Sequence, residues 1–491
     1  MSSSSSIKVK FLIDTERKRV VFVEAGSAFV DVLFSFLTLP LGSIVQLLSQ
    51  RSGLGSLDNL YESVVQLDAA HLRTEACKEM LLHPRSAAAR QCENLKIKYI
   101  SELYPVLLYT CSDSGCVAQT TYYYEYASKV SCGSCGNLMD FKLCWPGKAS
   151  DQGGVFVNDT VDFIMTDDLR VMQSSFANGL SIFKELQIKD ASILEERVID
   201  FGTKEALDLL KRSLISKNAL TEFCFPDVCV EASGDSSSSN KDEIVAGEAE
   251  AEAENEIILE LFLNQRNNEV LYAEVGEDFL NFLFSFLTFP LGSALGFLSH
   301  NISPFDGCIH NLYSSAKSMS SVCFKSEVYR DMLLTPKLPA FYEYKKHMLK
   351  LKEVPSQEFI TSGSCAQCIS SNGRKRIKIS PCPHGITEKK YIQHNPKSAK
   401  GVEDNSGAFV MSSKKFMISD NLDISPLSLI SAMRTEMDFP ISELVRKKVS
   451  IDRAKAQSLL SALLVSKKVL ADAFFPKPIQ KKQNVDGVAL F

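Results

Sequence analysis

The sequence predicts an α+β protein made of two copies of one unit, and three observations support this prediction. The block LFSFLTLPLGS at residues 33–43 returns as LFSFLTFPLGS at residues 283–293, identical at ten of eleven positions. In each copy, two short runs that alternate apolar and polar residues precede this block, which is typical of a β-hairpin. Helix-like segments follow the block, and paired cysteines lie in a β-rich stretch beyond them.

Each copy contains these elements in the same order. Hairpin strands are predicted at residues 9–13 and 20–24, with a polar turn between them, and at residues 259–263 and 270–274 in the second copy. Helices are predicted at residues 57–67 and 73–82, where Pro84 ends the second one, as Pro336 does in the other copy. Two further helices are expected to close each copy. They are predicted at residues 174–186 and 204–216, and at 428–437 and 454–466.

The apolar block itself is predicted to be a buried, broken helix. Residues 279–298 are twenty consecutive uncharged residues, which is long enough to span a membrane. Pro290 and Gly292 interrupt this stretch, and the first copy carries Asp31 and Gln46 in the matching segment. A helix that is buried on all sides is apolar all round, so a core element is favoured over a membrane segment.

Composition places the chain among ordinary multidomain proteins. It has 491 residues, of which 45% are hydrophobic and 23% are charged, and a formal net charge of −5. These values exclude fibrous and disordered classes, and 14 cysteines are too few for a small disulfide scaffold. The N-terminal MSSSSSIKVKF lacks the features of a signal peptide. We therefore expect a cytoplasmic location with access to the nucleus, where paired cysteines stay reduced and indicate metal or redox chemistry.

The repeat offset of 250 to 253 residues sets the expected domains. These are a first repeat domain at residues 1–230, an acidic disordered linker at 231–256, a second repeat domain at 257–479 and a tail at 480–491. The two repeats carry net charges of −5 and +8 and the linker carries −8. Opposite charges favour contact between the repeats or divergence toward different partners. A period this long also predicts that each copy is a self-sufficient fold.

The cysteines of the first copy are spaced like the ligands of a zinc ribbon. Cys111 and Cys116 form one pair, and fifteen residues later Cys132 and Cys135 form another. Two such pairs at the ends of a β-hairpin bring four thiolates to one tetrahedral metal ion, and soft sulfur ligands favour zinc. A four-ligand site of this kind is closed, and therefore structural rather than catalytic.

The second copy keeps four candidate ligands but changes their chemistry. Cys365 and Cys368 are followed thirteen residues later by Cys382 and His384, and His394 is a reserve for the fourth position. Two alternatives to zinc stay open. Reduced cysteines can line a small β core as compact apolar residues, or the dithiol of Cys132 and Cys135 can act in redox chemistry.

Other motifs give weaker indications. The step Thr166-Asp167-Asp168 in the first copy and Ser419-Asp420-Asn421 in the second is interpreted as a helix N-cap. No histidine is shared between the copies, and phosphate-binding, dinucleotide-binding and metalloprotease motifs are missing, so we expect no enzyme.

A basic cluster lies between the two ligand pairs of the second copy. It consists of Arg374, Lys375, Arg376 and Lys378. Such a cluster is typical either of a solvated hairpin or of contact with nucleic acid phosphates.

These residues together resemble a known family. The Glu24-Ala25-Gly26 step after the hairpin, the LFSFLTxPLGS block, the NLY triplets, the MLLxP helix ends and the SCGSCG stretch are similar to the plant-specific family of unknown function catalogued as domain of unknown function 674. That resemblance implies a plant source and tandem copies, and it implies no activity or catalytic residue. The leading functional prediction is a non-catalytic interaction or scaffold protein with structural zinc and unidentified protein partners. A nucleic-acid-binding protein is the alternative, and a thiol-redox enzyme comes third.

Overall fold

The structure is a computed structural model that describes most of the chain. The described residues are 6–99, 108–113, 120–124, 132, 135–143, 155–226, 256–267, 269–298, 307–356, 358–363, 387–398, 406–428, 430 and 443–476. Both helices and strands are present, which confirms the α+β prediction. The predicted linker apart from residue 256, the tail, and the predicted helix at 428–437 apart from residues 428 and 430 lie outside the described residues.

The first half of the chain contributes eight strands and eight helices to the described elements. The strands are β1 (Ile7–Asp14), β2 (Arg19–Ala25), β3 (Leu108–Thr110), β4 (Thr120–Tyr124), β5 (Phe141–Leu143), β6 (Phe163–Thr166), β7 (Val171–Gln173) and β8 (Leu194–Phe201). The helices are α1 (Ser27–Ser35), α2 (Leu41–Leu47), α3 (Leu57–Gln66), α4 (Glu75–Leu82), α5 (Ala89–Cys92), α6 (Phe176–Glu185), α7 (Thr203–Ile215) and α8 (Ala219–Cys224).

The second half repeats this order among the described residues. Its strands are β9 (Ile257–Asn264), β10 (Glu269–Val275), β11 (Glu358–Gly363), β12 (Thr387–Gln393), β13 (Phe416–Ser419), β14 (Ile424–Pro426) and β15 (Leu444–Ile451). Its helices are α9 (Glu277–Ser285), α10 (Leu291–Leu298), α11 (Ile309–Ser318), α12 (Glu327–Leu334), α13 (Arg453–Val465) and α14 (Val469–Phe474).

Two five-stranded sheets with equivalent strand orders carry the two halves. The first sheet runs β7-β6-β2-β1-β8 and the second runs β14-β13-β10-β9-β15, all antiparallel. The hairpins β1–β2 and β9–β10 were predicted from the alternation of apolar residues, and alternate residues of β1 are buried as expected. Strands β8 and β15 were not predicted; β8 alternates in exposure only toward its end, and β15 has four consecutive exposed residues.

The apolar block forms a broken helix in the core of each half, as predicted. In the second half α9 leads into a 3₁₀ turn at Phe286–Thr288, and Pro290 then separates this turn from α10. The side chains of Phe282, Phe284 and Leu287 are fully buried. None of the described helices is long and apolar enough to cross a lipid bilayer.

The PLGS end of the block is where the two halves cross. Pro40 and Pro290 form an antiparallel β-bridge. The Leu41 amide donates to the carbonyl oxygen of Phe289 at 2.9 Å, and the Leu291 amide donates to that of Leu39 at 2.8 Å. The block is therefore both a core element and a contact between the halves.

Beyond this crossing, each half places its next helices against the other half. The Asn59 side-chain amide of α3 donates to the carbonyl oxygen of Asn421, and Asn311 of α11 does the same to Asp168. Ser63 and Ser315 accept hydrogen bonds from the backbone of β14 and β7 in the same reciprocal way. The helix pair α3–α4 therefore packs on the second sheet, and α11–α12 packs on the first.

The exchange produces one hydrophobic core that contains buried residues of both halves. The expectation that each copy is a self-sufficient fold is therefore wrong, because the helix pairs α3–α4 and α11–α12 pack against the opposite half. The predicted domain boundaries stay a prediction. A third sheet, β11-β12-β4-β3-β5, also joins the halves through the parallel pair β12–β4.

One local interpretation also needs correction. Asp167 does not cap the segment that follows it, because that segment is a turn leading into β7. Its carboxylate instead accepts hydrogen bonds from the amide and hydroxyl of Thr221 in α8, at 2.7 and 2.6 Å. Asp420 accepts from the Ala471 amide of α14 in the same way. Both residues therefore hold a helix that is distant in sequence.

Candidate metal centre

The candidate centre lies beside the third sheet, where β3 ends. Cys111 comes directly after Thr110, the last residue of β3. Thr110 pairs with Phe141, the first residue of β5, so the segment that contains Cys132 and Cys135 returns to the same end of the strand pair. The antiparallel pairing thus brings together cysteines that are more than twenty residues apart in sequence.

Three of the four predicted ligands of the first copy meet at this point. The sulfur atoms of Cys111, Cys132 and Cys135 all lie within 4.8 Å of one another. The Sγ atoms of Cys111 and Cys135 are 3.5 Å apart. Cys111 and Cys132 are buried, and Cys135 is exposed. Three thiols arranged in this way could hold a metal ion.

Two backbone hydrogen bonds link Cys132 to the residues just after Cys135. The Gly136 amide donates to the carbonyl oxygen of Cys132 at 2.8 Å, and the Cys132 amide donates to that of Asn137 at 2.7 Å. Gly136 has φ +75°, a left-handed conformation that side chains rarely adopt. The Asp113 amide lies 3.4 Å from Cys111 Sγ, where an N–H group favours a thiolate.

The surroundings of Cys111 favour a neutral thiol over a free thiolate. Burial raises the pKa of Cys111 to about 11, and the neighbouring thiols of Cys135 and Cys132 contribute in the same direction. A metal cation reverses this balance, because it deprotonates a coordinating thiol outright. The redox alternative concerns Cys132 and Cys135, not Cys111, and it stays a prediction.

Most of the other predicted ligands lie in parts of the chain that the structure does not describe. Cys116 and all four ligands of the second copy lie outside the described residues; these four are Cys365, Cys368, Cys382 and His384. The basic cluster of Arg374, Lys375, Arg376 and Lys378 lies outside them as well. His394 directly follows β12 and is partly buried, and burial lowers its pKa.

Sequence reasoning missed a buried carboxylate that holds the chain where it leaves the cysteine region. Asp31 of α1 is 2% exposed and accepts hydrogen bonds from the amides of Val155, Phe156 and Val157. Desolvation raises its pKa to about 6, although the three amides lower it. The available signal was a charged residue inside an otherwise apolar block, with polar Asn281 at the same position of the other copy.

The fold and the site together define an α+β protein with two interlocked sheets and a cysteine-based candidate metal centre. A profile of the family described as "Protein of unknown function (DUF674)" matches residues 3–454, so the chain belongs to this family. No curated protein and no solved structure matches the chain.

Proposed function

We propose that the protein is a non-catalytic interaction or scaffold protein in which Cys111, Cys132 and Cys135 hold a structural zinc ion. The convergence of three thiol sulfurs within 4.8 Å supports this proposal. Cys116 would complete the set from the same sequence motif, and soft sulfur ligands select zinc. We also propose that the two halves arose by duplication of one unit in a plant protein.

The position of the centre supports a structural role. The three cysteines flank β3 and β5, and these strands belong to the sheet that joins the two halves through β12 and β4. A metal ion at this point would fix the end of that sheet. Four protein ligands would leave no open position for water or substrate, which is the arrangement of structural zinc sites. The fixed sheet would then be a platform for a protein partner.

Metal analysis of the full chain tests this proposal. Protein that is purified without added zinc should carry about one zinc ion per chain, as expected for a structural site. Cys132→Ser and Cys111→Ser should each lose the metal and lower the melting temperature, because metal binding contributes to folding. Cys224→Ser is the matched control, since Cys224 is a partly buried free thiol in α8 and should keep the metal.

Two results would contradict the zinc site. One is wild-type protein with less than about 0.3 metal ions per chain, well below what a structural site retains. The other is a Cys132→Ser variant that keeps the wild-type metal content. If the protein carries a different metal that the same substitutions remove, the site stands and its assignment to zinc is wrong.

A further inference from the structure

An open groove with an apolar floor and a basic rim is lined mainly by the second half, with Ala87 and Ala88 of the first half at its edge. Its volume is about 880 Å³. The floor includes Phe297 of α10, Met332 of α12 and Leu351, all partly buried, and Val328, which is 64% exposed. Binding sites for small molecules commonly have about 300–1,000 Å³ and mostly apolar walls with a few polar groups. The groove therefore has the size and lining of a small-molecule site.

The rim of the groove is strongly basic. Four exposed lysines and one exposed carboxylate, that of Asp331, line it, so the rim has a net positive charge. The lysines are Lys317, Lys337, Lys350 and Lys352. Their charges act together on a ligand at the mouth, where an anion would be favoured. The apolar floor and basic rim together match a molecule with an anionic head and an apolar tail.

The groove is held open by backbone contacts on its far wall. The Leu338 amide donates to the carbonyl oxygen of Lys352 at 2.9 Å, and the Val354 amide donates to that of Leu338 at 2.8 Å. These bonds pin the segment that carries Lys350 and Lys352 beside the end of α12. A preformed site loses little conformational entropy when it binds a ligand.

A glycine on the near wall gives the groove its room. A Cβ atom at Gly296 would lie 3.1 Å from the Tyr313 hydroxyl, so a side chain there would extend along the wall of the groove. The first half has Gln46 at the matching position, and it has Val65 where the second half has Lys317. Space and the charge at one of the four rim positions therefore differ between the halves, whereas the first half has Arg85 where the second has Lys337.

We propose that this groove binds a single-chain amphiphile with an anionic head group. The tail lies along Phe297, Met332 and Leu351, and the head lies among the lysines at the rim. A fatty-acid carboxylate and a lysophospholipid phosphate share this chemistry, and the experiment separates them. The proposal does not depend on the metal centre.

Calorimetric titration of the full chain tests the proposal with four probes below their micelle concentrations. The probes are oleate, oleoyl lysophosphatidate, uncharged monoolein and acetate. Oleate or oleoyl lysophosphatidate should bind with one molecule per chain, and the tighter of the two identifies the head group. Monoolein and acetate should bind at least about tenfold more weakly, because one lacks the charge and the other lacks the apolar tail.

Variants that fill the groove or remove charge from its rim locate the site, and two of the substitutions, Gly296→Gln and Lys317→Val, copy the first half. Gly296→Gln should weaken binding about tenfold, since it displaces roughly two buried methylene groups of the tail. The triple variant Lys317→Val, Lys337→Gln and Lys352→Gln should also weaken binding about tenfold and reduce its dependence on salt. The matched control replaces three exposed lysines of the first half, Lys8, Lys184 and Lys189, by Gln and should bind like wild type.

Several outcomes would overturn the proposal. These are no binding of either anionic probe, equal binding of monoolein, or wild-type binding by both the Gly296→Gln and the triple lysine variants. Val328→Glu tests the site even if Gly296→Gln fails to fold. Val328 is 64% exposed, so its replacement should leave the fold intact and add a negative charge at the groove. This variant should bind the anionic probes more weakly, and unchanged binding would count against the site.

Discussion

The two halves of the molecule have the same strand order and the same crossing, yet they differ at the positions where chemistry is expected. A buried side chain at one position of the apolar block holds the returning chain in both halves, as Asp31 in the first and Asn281 in the second. The groove position carries Gln46 in one half and Gly296 in the other. The contact made by Asp31 and Asn281 is present in both halves and belongs to the shared fold, whereas the groove position differs between them.

The PLGS motif belongs to what the fold requires. Ser43 and Ser293 donate their hydroxyl hydrogens to the carbonyl oxygens of Pro84 and Pro336, at 2.6 and 2.8 Å. Gly42 and Gly292 lie where α2 and α10 meet backbone of the opposite half. A Cβ at Gly292 would lie 2.2 Å from the Leu333 oxygen, whereas the closest contacts of a Cβ at Gly42 would be 3.0–3.1 Å.

The largest expected effect is the difference between these two glycines. Gly292→Ala should lower the free energy of unfolding by about 3 kcal/mol, because the methyl group meets the carbonyl oxygen of Leu333 in α12 so closely that backbone has to move. Gly42→Ala should cost about 1 kcal/mol, because its neighbours need to move by only a few tenths of an ångström. Chemical denaturation of the full chain measures both values.

Gly179 in α6 supplies the control for this pair. A Cβ at Gly179 would have no neighbour within 4 Å, so Gly179→Ala should stabilise the protein by up to about 1 kcal/mol through helix propensity. If Gly42→Ala proved as destabilising as Gly292→Ala, the two sides of the crossing would be equally tight, and the proposed asymmetry would be wrong.

The sequence predicted local elements well and long-range packing poorly, and the crossing shows why. The alternation of apolar and polar residues predicted β1, β2, β9 and β10, and Pro290 predicted the break in the apolar block. Periodicity reports which face of a helix is buried, but it does not report which of two similar sheets covers that face. The exchange of α3–α4 with α11–α12 therefore had no signal in a single sequence.

The cysteine cluster was more predictable than the packing. Cysteine spacing alone selected Cys111, Cys132 and Cys135 together with Cys116, because two close pairs of thiols are typical of zinc-ribbon ligands. The groove had no such signal, since its floor combines residues from α10, α12 and the segment near Leu351. Asp31 was visible as a polar residue in an apolar block, but its three amide partners are more than 120 residues away.

The carboxylate of Asp31, which Asn281 replaces by a neutral amide in the second half, should make stability depend on pH. The pKa of Asp31 is raised to about 6 from 3.8, chiefly by desolvation, so the folded state binds its proton more tightly than the unfolded state does. Its contribution to stability is therefore present below about pH 4 and is lost as the pH rises to about 6. This net shift of about two pKa units, in which the amide hydrogen bonds already oppose desolvation, corresponds to a change on the order of 3 kcal/mol.

Asp31→Asn tests this by copying the second half. Asn281 accepts from the amides of Phe409 and Val410 at 2.7 and 2.8 Å, and its side-chain amide donates to the carbonyl oxygen of Val410 at 3.0 Å, so a neutral residue satisfies this position. The difference in unfolding free energy between wild type and Asp31→Asn should move in favour of the variant as the pH rises from 4 to 7. A constant difference across that range would show that Asp31 does not titrate as proposed.

The smallest expected effect separates the two asparagines that link the halves. The side-chain amide of Asn311 donates to the carbonyl oxygen of Asp168 at 2.8 Å and to its carboxylate at 3.2 Å. The side-chain amide of Asn59 donates to the carbonyl oxygen of Asn421 at 3.0 Å. Bonds to charged groups are the stronger ones, so Asn311→Ala should cost about 1 kcal/mol more than Asn59→Ala. Adding Asp168→Asn to Asn311→Ala in a double-mutant cycle isolates the charged contact, because the carboxylate exists only in the first half. A coupling energy near zero would mean that the backbone bond alone sets the cost, and the two interfaces between the halves would then be energetically equivalent at this position.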